Sequence, residues 1–152
     1  MDGLSRRAFI RYAHRPVRAV RAMVEQGETL VGRRDGQPVG FVVIRIERHP
    51  RFGPVSEPLL AHLDAIAVSA LRRGRGRGRQ LLAAAEAHAA TRGALAMFLM
   101  TASNNRRARA LFAAAGYQPL AGMAAAYRDR HAAVLMTKLL EPSAAVLPMH
   151  AS

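Results

Sequence analysis

The residues best suited to chemistry stand six in a row, Arg73-Gly74-Arg75-Gly76-Arg77-Gly78, between an apolar stretch and a helix-forming one. Glycine has no Cβ, so its backbone turns freely and lets a ligand approach the peptide amides closely. The amides exposed in this way point to the start of the following helix, where partial positive charge favours a phosphate. Arg73, Arg75, Arg77 and Arg79 add full charges at the same place. The chemistry is that of a pyrophosphate cradle. A nucleoside-triphosphate loop ends in Gly-Lys-Ser/Thr, which this segment lacks. A dinucleotide fingerprint needs G-x-G-x-x-G and an acid about 20 positions on, at the tip of the next strand. The spacing here is G-x-G-x-G, and that strand ends in Met100-Thr101. Arginine–glycine tracts that grip nucleic acid are long and disordered, whereas this one is clamped between a strand and a helix.

The elements that hold the loop can be read on either side of it. Residues 62–68 (HLDAIAV) are short and apolar with period two, a buried strand. Residues 80–91 (QLLAAAEAHAAT) put Leu81, Leu82, Ala85 and Ala89 on one helical face, and Gly93 terminates the helix. Residues 96–101 (AMFLMT) form the next buried strand. A strand, a helix and a strand in this order imply a right-handed crossover between two parallel strands. Asn104 or Asn105 caps another helix that runs through Ala115 and ends at Gly116. Ahead of this unit lie a helical pattern over 4–26, broken at Pro16, and a hairpin of strands 29–33 and 38–47 turning at Asp35-Gly36-Gln37. A loop rich in Pro and Gly spans 48–58. Behind it come a turn at Ala121-Gly122, a strand ending near Tyr127, a last strand over 132–139 and a loose tail. The expected fold class is α/β (α+β): a mixed, mostly antiparallel sheet with a central parallel βαβ unit and helices on both faces. Residues 1–140 form one domain and 141–152 a flexible tail.

Two motifs in this frame resemble those of the GNAT-type N-acetyltransferases. The acetyl-CoA motif of that family, Q/R-x-x-G-x-G/A after a strand ending in Val, is matched by Arg73 to Gly78, with Val68 five residues ahead. The family's second motif, N-x-x-A-x-x-L-Y/F-x-x-x-G-F/Y, is matched from Asn105 through Ala108, Leu111, Phe112 and Gly116 to Tyr117. Together they cover residues 62–117, with weaker likeness over 29–47 and 132–140. The resemblance implies that the strand carrying Ile66, Ala67 and Val68 splays from its neighbour and pairs with the pantetheine arm of acetyl-CoA. The Val68 amide then lies by the thioester carbonyl, where it stabilises developing negative charge. Arg73, Gly74, Arg75, Gly76, Arg77 and Gly78 hold the diphosphate. Asn105 bonds the pantetheine arm, and Phe112 packs near the sulfur. The acetyl group passes to a primary amine by direct attack in a ternary complex. No covalent enzyme intermediate is needed, which suits a chain without cysteine.

The chain departs from the family pattern at the catalytic acid and base. Many relatives have Tyr at the position of Phe112, where a hydroxyl can protonate the leaving thiolate. Tyr117 and Tyr127 are the candidates to replace it, with packing roles as the alternative. Some relatives place a Glu where this chain has Met100. Asp64 is then the candidate base: 64, 66 and 68 share a strand face, and a carboxylate among apolar neighbours suits a base that works near neutrality. The alternative is an Asp paired with an arginine. The acceptor is open between a protein N-terminus or lysine, a polyamine, an amino acid and an antibiotic-like amine. Few acids stand near the expected mouth (Glu47, Glu57 and Asp64), and loop 48–58 is the expected substrate lip. The family usually opens with a strand for which residues 1–4 leave no room, and an uncovered sheet edge invites pairing with a second copy, hence a possible homodimer.

Composition frames these readings. The 152 residues carry 23 Lys plus Arg (22 of them Arg) against 10 acids, a net charge of +13. Hydrophobic residues make up 51 %, enough for one core, but 31 are alanines, so tightly packed small helix faces are expected. Without cysteine there is no disulfide framework or thiolate metal site. The six histidines show no H-E-x-x-H or comparable spacing, so no metal is expected. No apolar run approaches 18–20 residues, and the N-terminus lacks a signal-like apolar stretch, so a cytoplasmic protein without membrane contact is expected. The charge fits an anionic ligand such as coenzyme A. The alternative is a non-catalytic domain of the same fold that binds nucleic acid or acyl-CoA through its arginines.

Overall fold

The computed structural model describes residues 25–49, 58–126 and 132–142. The helices expected over 4–26 apart from helical residues 25 and 26, most of loop 48–58 with Glu57, Tyr127 and the tail from residue 143 lie outside the described residues.

Strands β1 (Glu28–Arg34) and β2 (Gln37–Arg48) form the expected hairpin. Asp35 and Gly36 between them both have positive φ, 50° and 75°. That backbone twist matches the twist of the flanking strands, which is why two-residue hairpins select such pairs. Strand β3 (Leu59–Val68) then runs antiparallel to β2. It starts three residues earlier than its apolar alternation indicates, because Leu59 and Leu60 are only partly buried and carry no face preference of their own. Helix α1 (Arg77–Thr91) follows, and β4 (Ala94–Ala102) returns parallel to β3 as the crossover rule requires. Helix α2 (Arg106–Ala114) leads to β5 (Gln118–Ala126) and β6 (Ala132–Leu139).

The six strands make one sheet in the order β1-β2-β3-β4-β6-β5, antiparallel except for the β3–β4 pair. One local expectation is corrected. Ala121-Gly122 is not a turn between elements; β5 is one strand whose register with β6 breaks between Pro119 and Ala124. The break absorbs the small residues as an irregularity within the ladder instead of reversing the chain.

The core lies where α1 crosses the sheet. Leu82, Ala85 and Ala89 of α1 are fully buried against Val42, Ile44, Ala61, Leu63 and Met97. Alanines on that helix face allow close approach, and Gly40 takes this furthest. A Cβ there would sit 2.6 Å from the Ala67 carbonyl oxygen and 2.7 Å from Leu81 Cδ1, so β2 and α1 meet at a spacing only glycine permits. The packing ties α1, and hence the loop at its start, to the middle of the sheet.

Candidate active site

Parallel pairing between β3 and β4 runs from Leu59↔Ala94 to Leu63↔Leu99 and stops there. Beyond that point β3 continues on β2 as far as Val68, while β4 continues on β6 to Ala102. The two central strands therefore part, leaving a V-shaped gap whose apex is at Leu63 and Leu99. In an antiparallel ladder, facing residues alternate between pairs that exchange hydrogen bonds and pairs whose N–H and C=O point away. Ser69 N donates to Val39 O at 2.8 Å, which fixes the phase. It makes Val68 (opposite Gly40) and Ile66 (opposite Val42) the residues whose backbone groups point into the gap. Ala67 between them turns its polar groups to β2 and buries its side chain. The expected splay is present, carried by Ile66 and Val68.

The chain leaves Val68 through a short 3-10 turn, Ala70–Arg72, into the glycine–arginine loop. Gly74 and Gly76 have φ of 77° and 70°, a region a side chain would strain, and a Cβ at either would meet nothing within 4 Å. Gly76 is the N-cap of α1 and has no side chain to accept from the first-turn amides, nor is there an acid in that turn. Helix α1 thus begins at Arg77, earlier than the apolar pattern shows, with Gly78 inside it. A Cβ on Gly78 would lie 3.4 Å from Leu111 of α2 and 3.8 Å from Val68, so three elements converge at this residue. Arg73 and Arg75 are exposed, and Arg73 Nε lies 3.4 Å from the Val68 carbonyl oxygen. Arg77 is half-buried. Arg79 turns away to the end of α2, where Nη2 donates to Ala114 O at 3.2 Å.

Asn105, not Asn104, caps α2: its side-chain oxygen accepts from Ala108 N at 3.1 Å. Its amide nitrogen remains for another partner. Phe112 and Tyr117 are both buried, edge to face with ring centroids 5.9 Å apart. Burial, reinforced by nearby Glu86, pushes the Tyr117 phenol far above its usual range. Such a phenol is a worse proton donor than a free one, and its edge-to-face seat on Phe112 fits the packing alternative. Glu86 itself is held by Lys138 Nζ at 2.7 Å.

Asp64 is the first β3 residue past the last β3–β4 pair, and it is the extra residue where the register with β2 jumps from Val43↔Ala65 to Ile44↔Leu63. Its surroundings are not the apolar ones expected. Arg45 Nε donates to Oδ2 at 2.5 Å and Nη2 to Oδ1 at 3.0 Å, a two-pronged pair that raises the Arg45 pKa and occupies both carboxylate oxygens. The alternative reading of Asp64, a pairing with arginine, describes the geometry. Arg45 Nη1 also donates to Glu47 Oε1 at 2.5 Å.

A histidine pair completes the face, and inspection of histidine spacing along the chain missed it. His62 Nε2 is 3.2 Å from His49 Nε2 and 3.9 Å from Glu47 Oε2, and its ring stacks on Phe98 with centroids 6.0 Å apart. Burial pushes the His62 pKa down, with Glu47 opposing and Arg45 and His49 adding to the effect. The signal was present as a period of two: Arg45, Glu47 and, just past the end of β2, His49 alternate on one side as His62 and Asp64 do on the other, and Arg45 is paired with His62.

The chain can now be set beside known proteins. Residues 2–117 match the acetyltransferase (GNAT) family. A curated relative, the uncharacterised N-acetyltransferase YhfO of Bacillus subtilis (strain 168), is 32 % identical over 101 residues, and the match spans 65 % of each chain. Among solved structures, the ribosomal-protein-S18-alanine N-acetyltransferase of Escherichia coli superposes with a TM-score of 0.68 at 19 % identity, covering 96 % of this chain and 89 % of that one. A GNAT family acetyltransferase from Elizabethkingia anophelis with acetyl-CoA bound gives 0.68 at 15 % identity, covering 91 % and 89 %. At such identities the structures attest the fold alone. The match over most of the sequence, on a sheet that parts beside a glycine–arginine loop, places the chain in the GNAT acetyltransferase family.

Proposed function

We propose that the protein transfers the acetyl group of acetyl-CoA to a primary amine by direct attack in a ternary complex. The observation that carries this reading is the gap between β3 and β4, with the backbone groups of Ile66 and Val68 turned into it and the uncapped start of α1 at its end. A pantetheine arm replaces the missing strand and takes the hydrogen bonds that β3 offers, as an added strand would. The diphosphate sits on the first-turn amides of α1 within the bend made by Gly74 and Gly76, with Arg73 and Arg75 beside it. Asn105 offers its amide nitrogen to the arm from the far side. Acetyl-CoA supplies the activated acyl group when bound.

The thioester then lies toward the apex, where the N–H of Ile66, the nearer of the two inward-turned residues, is aimed at the carbonyl oxygen and strengthens its bond as negative charge develops. With both oxygens of Asp64 on Arg45, the acceptor for the amine's proton is the His62 imidazole, two residues earlier on the same strand and on the same polar face. Asp64 and Glu47 serve as positioning residues that fix Arg45 and supply the mouth with negative charge for a cationic amine. Phe112 and Tyr117 support α2 from the core and take no part in proton transfer, so the thiolate leaves to water.

The test is thiol release from acetyl-CoA over a panel of primary amines (peptide N-termini, lysine, polyamines, free amino acids). At least one amine gives saturable turnover, and His62→Gln lowers kcat by roughly 100-fold with little change in acetyl-CoA affinity, the usual scale for a lost general base. Full activity in His62→Gln overturns the assignment of the base. No turnover with any amine, together with no binding of acetyl-CoA, overturns the reading of the site.

A further inference from the structure

Three side chains at the mouth hold more lone pairs in one place than hydrogen bonding uses. One ligand atom of each of Glu47, His49 and His62 lies within 4.8 Å of the other two, with 3.2 Å between the two Nε2 atoms. Ligand atoms about 2.0–2.1 Å from a tetrahedral zinc ion are about 3.3 Å apart, so the nitrogens already stand at the separation of two ligands on one metal. The Glu47 oxygen, 3.9 Å from His62 Nε2, needs a small side-chain rotation to complete the triangle. We propose that Glu47, His49 and His62 form a binding site for a divalent transition-metal ion of the zinc class, beside the apex of the gap, with a fourth position left for water or another ligand.

The support behind these ligands is of the kind that metal sites use. Arg45 holds the other Glu47 oxygen at 2.5 Å and is itself fixed by Asp64, so Oε2 is the oxygen left to turn toward the histidines. Phe98 stacks on His62 and sets the plane of its ring. Arg45 brings a positive charge close to the site, but Asp64 and Glu47 both contact it, and the cluster as a whole is not cationic. Two imidazoles and one carboxylate suit Zn²⁺, whereas Ca²⁺ and Mg²⁺ prefer sets made of oxygens. The location gives the ion a mechanical role. His49 stands at the end of β2, and its backbone N–H donates to Pro58 O at 3.1 Å across the base of the segment that joins β2 to β3. A metal shared by His49 and His62 would staple that base to β3 beside the place where the sheet parts.

A metal on His62 Nε2 takes the lone pair that the proposed base uses, so the ion is expected to inhibit acetyl transfer, and its binding is tested without turnover. The full chain, freed of metal with a chelator, is titrated with Zn²⁺ in competition with a chromophoric chelator. In parallel, Co²⁺ is added and the visible absorption of a tetrahedral site is followed. One equivalent is expected to bind, with His49→Ala and Glu47→Gln each weakening it by at least about tenfold while thermal unfolding shows both variants folded. Mg²⁺ at a large excess is expected to leave the Zn²⁺ isotherm unchanged. Absence of saturable Zn²⁺ binding overturns the proposal, and so does binding that is equally tight in both variants.

Discussion

Replacing Asp64 with asparagine separates a structural role from a catalytic one. The wild-type carboxylate accepts from Arg45 Nε at 2.5 Å and from Nη2 at 3.0 Å, and its side chain is only 13 % exposed. Asparagine can offer its oxygen to one of these groups but presents an N–H₂ to the other, so a donor faces a donor. Breaking a fully buried ion pair costs about 3–5 kcal/mol, because the surviving charge is left without compensation. Arg45 retains 32 % exposure and a second acid, Glu47, which reduces the expected loss to about 2 kcal/mol. For a domain of this size that is a fall in Tm of roughly 4–8 °C. Urea unfolding, combined with Arg45→Met and the double variant, measures the coupling directly. Once corrected for the folded fraction, kcat/KM is expected to fall less than about tenfold, because both carboxylate oxygens are engaged by Arg45 and the proposed base is His62. A variant as stable as wild type that loses activity by roughly 100-fold or more would refute the reasoning and return Asp64 to the role of base.

Three further outcomes follow from the packing and the charges. Gly40→Ala drives a methyl group into the Ala67 carbonyl and Leu81, 2.6 and 2.7 Å away, and should destabilise by about 1–3 kcal/mol in urea unfolding. Tyr117→Phe removes a buried hydroxyl beside Glu86 that makes no well-formed hydrogen bond among the described residues, so stability should stay within about 1 kcal/mol of wild type and turnover should be unchanged. Glu28→Gln tests a pH dependence. The His88 side chain, followed by Arg92, holds the Glu28 pKa below its ordinary value, so this pair contributes stability above that value and loses it as pH falls through the depressed one. Urea midpoints should therefore differ between wild type and variant at neutral pH and converge in acid; a gap that widens in acid would contradict the assignment.

The parts of the site that depend on local chemistry were legible in the sequence. Gly74 and Gly76 adopt the positive φ their type suggests, Asn105 caps α2, and alternation in 62–68 marks the strand that borders the gap. Strand edges were less so, since Leu59 and Leu60 at the entry of β3 are half-exposed and do not alternate. The polar face of the mouth left only a period-two alternation in the sequence, which does not say which residues meet. Asp64 meets Arg45 because the β2–β3 register jumps at that residue, and no local signal announces a bulge. His49 and His62 are separated by 13 positions and meet only across the ladder, so a search for ligand spacing along the chain passes over them. The arginine excess is likewise clearer in three dimensions. Arg45 and Arg92 serve acids, and Arg79 and Arg109 serve backbone carbonyls at Ala114 and Ser103, so several of these cations are structural and not part of an anion-binding surface.

The central claim is that acetyl-CoA occupies the gap between β3 and β4 as a substitute strand. Calorimetric titration of the protein with acetyl-CoA, followed by amide hydrogen exchange of the free and saturated forms, tests it most directly. Saturable binding of one acetyl-CoA per chain is expected, with slowed exchange at the amides of Ile66 and Val68 and in the first turn of α1, and no change along β1. The absence of saturable heat would contradict the account, as would binding that leaves exchange at Ile66 and Val68 as fast as before.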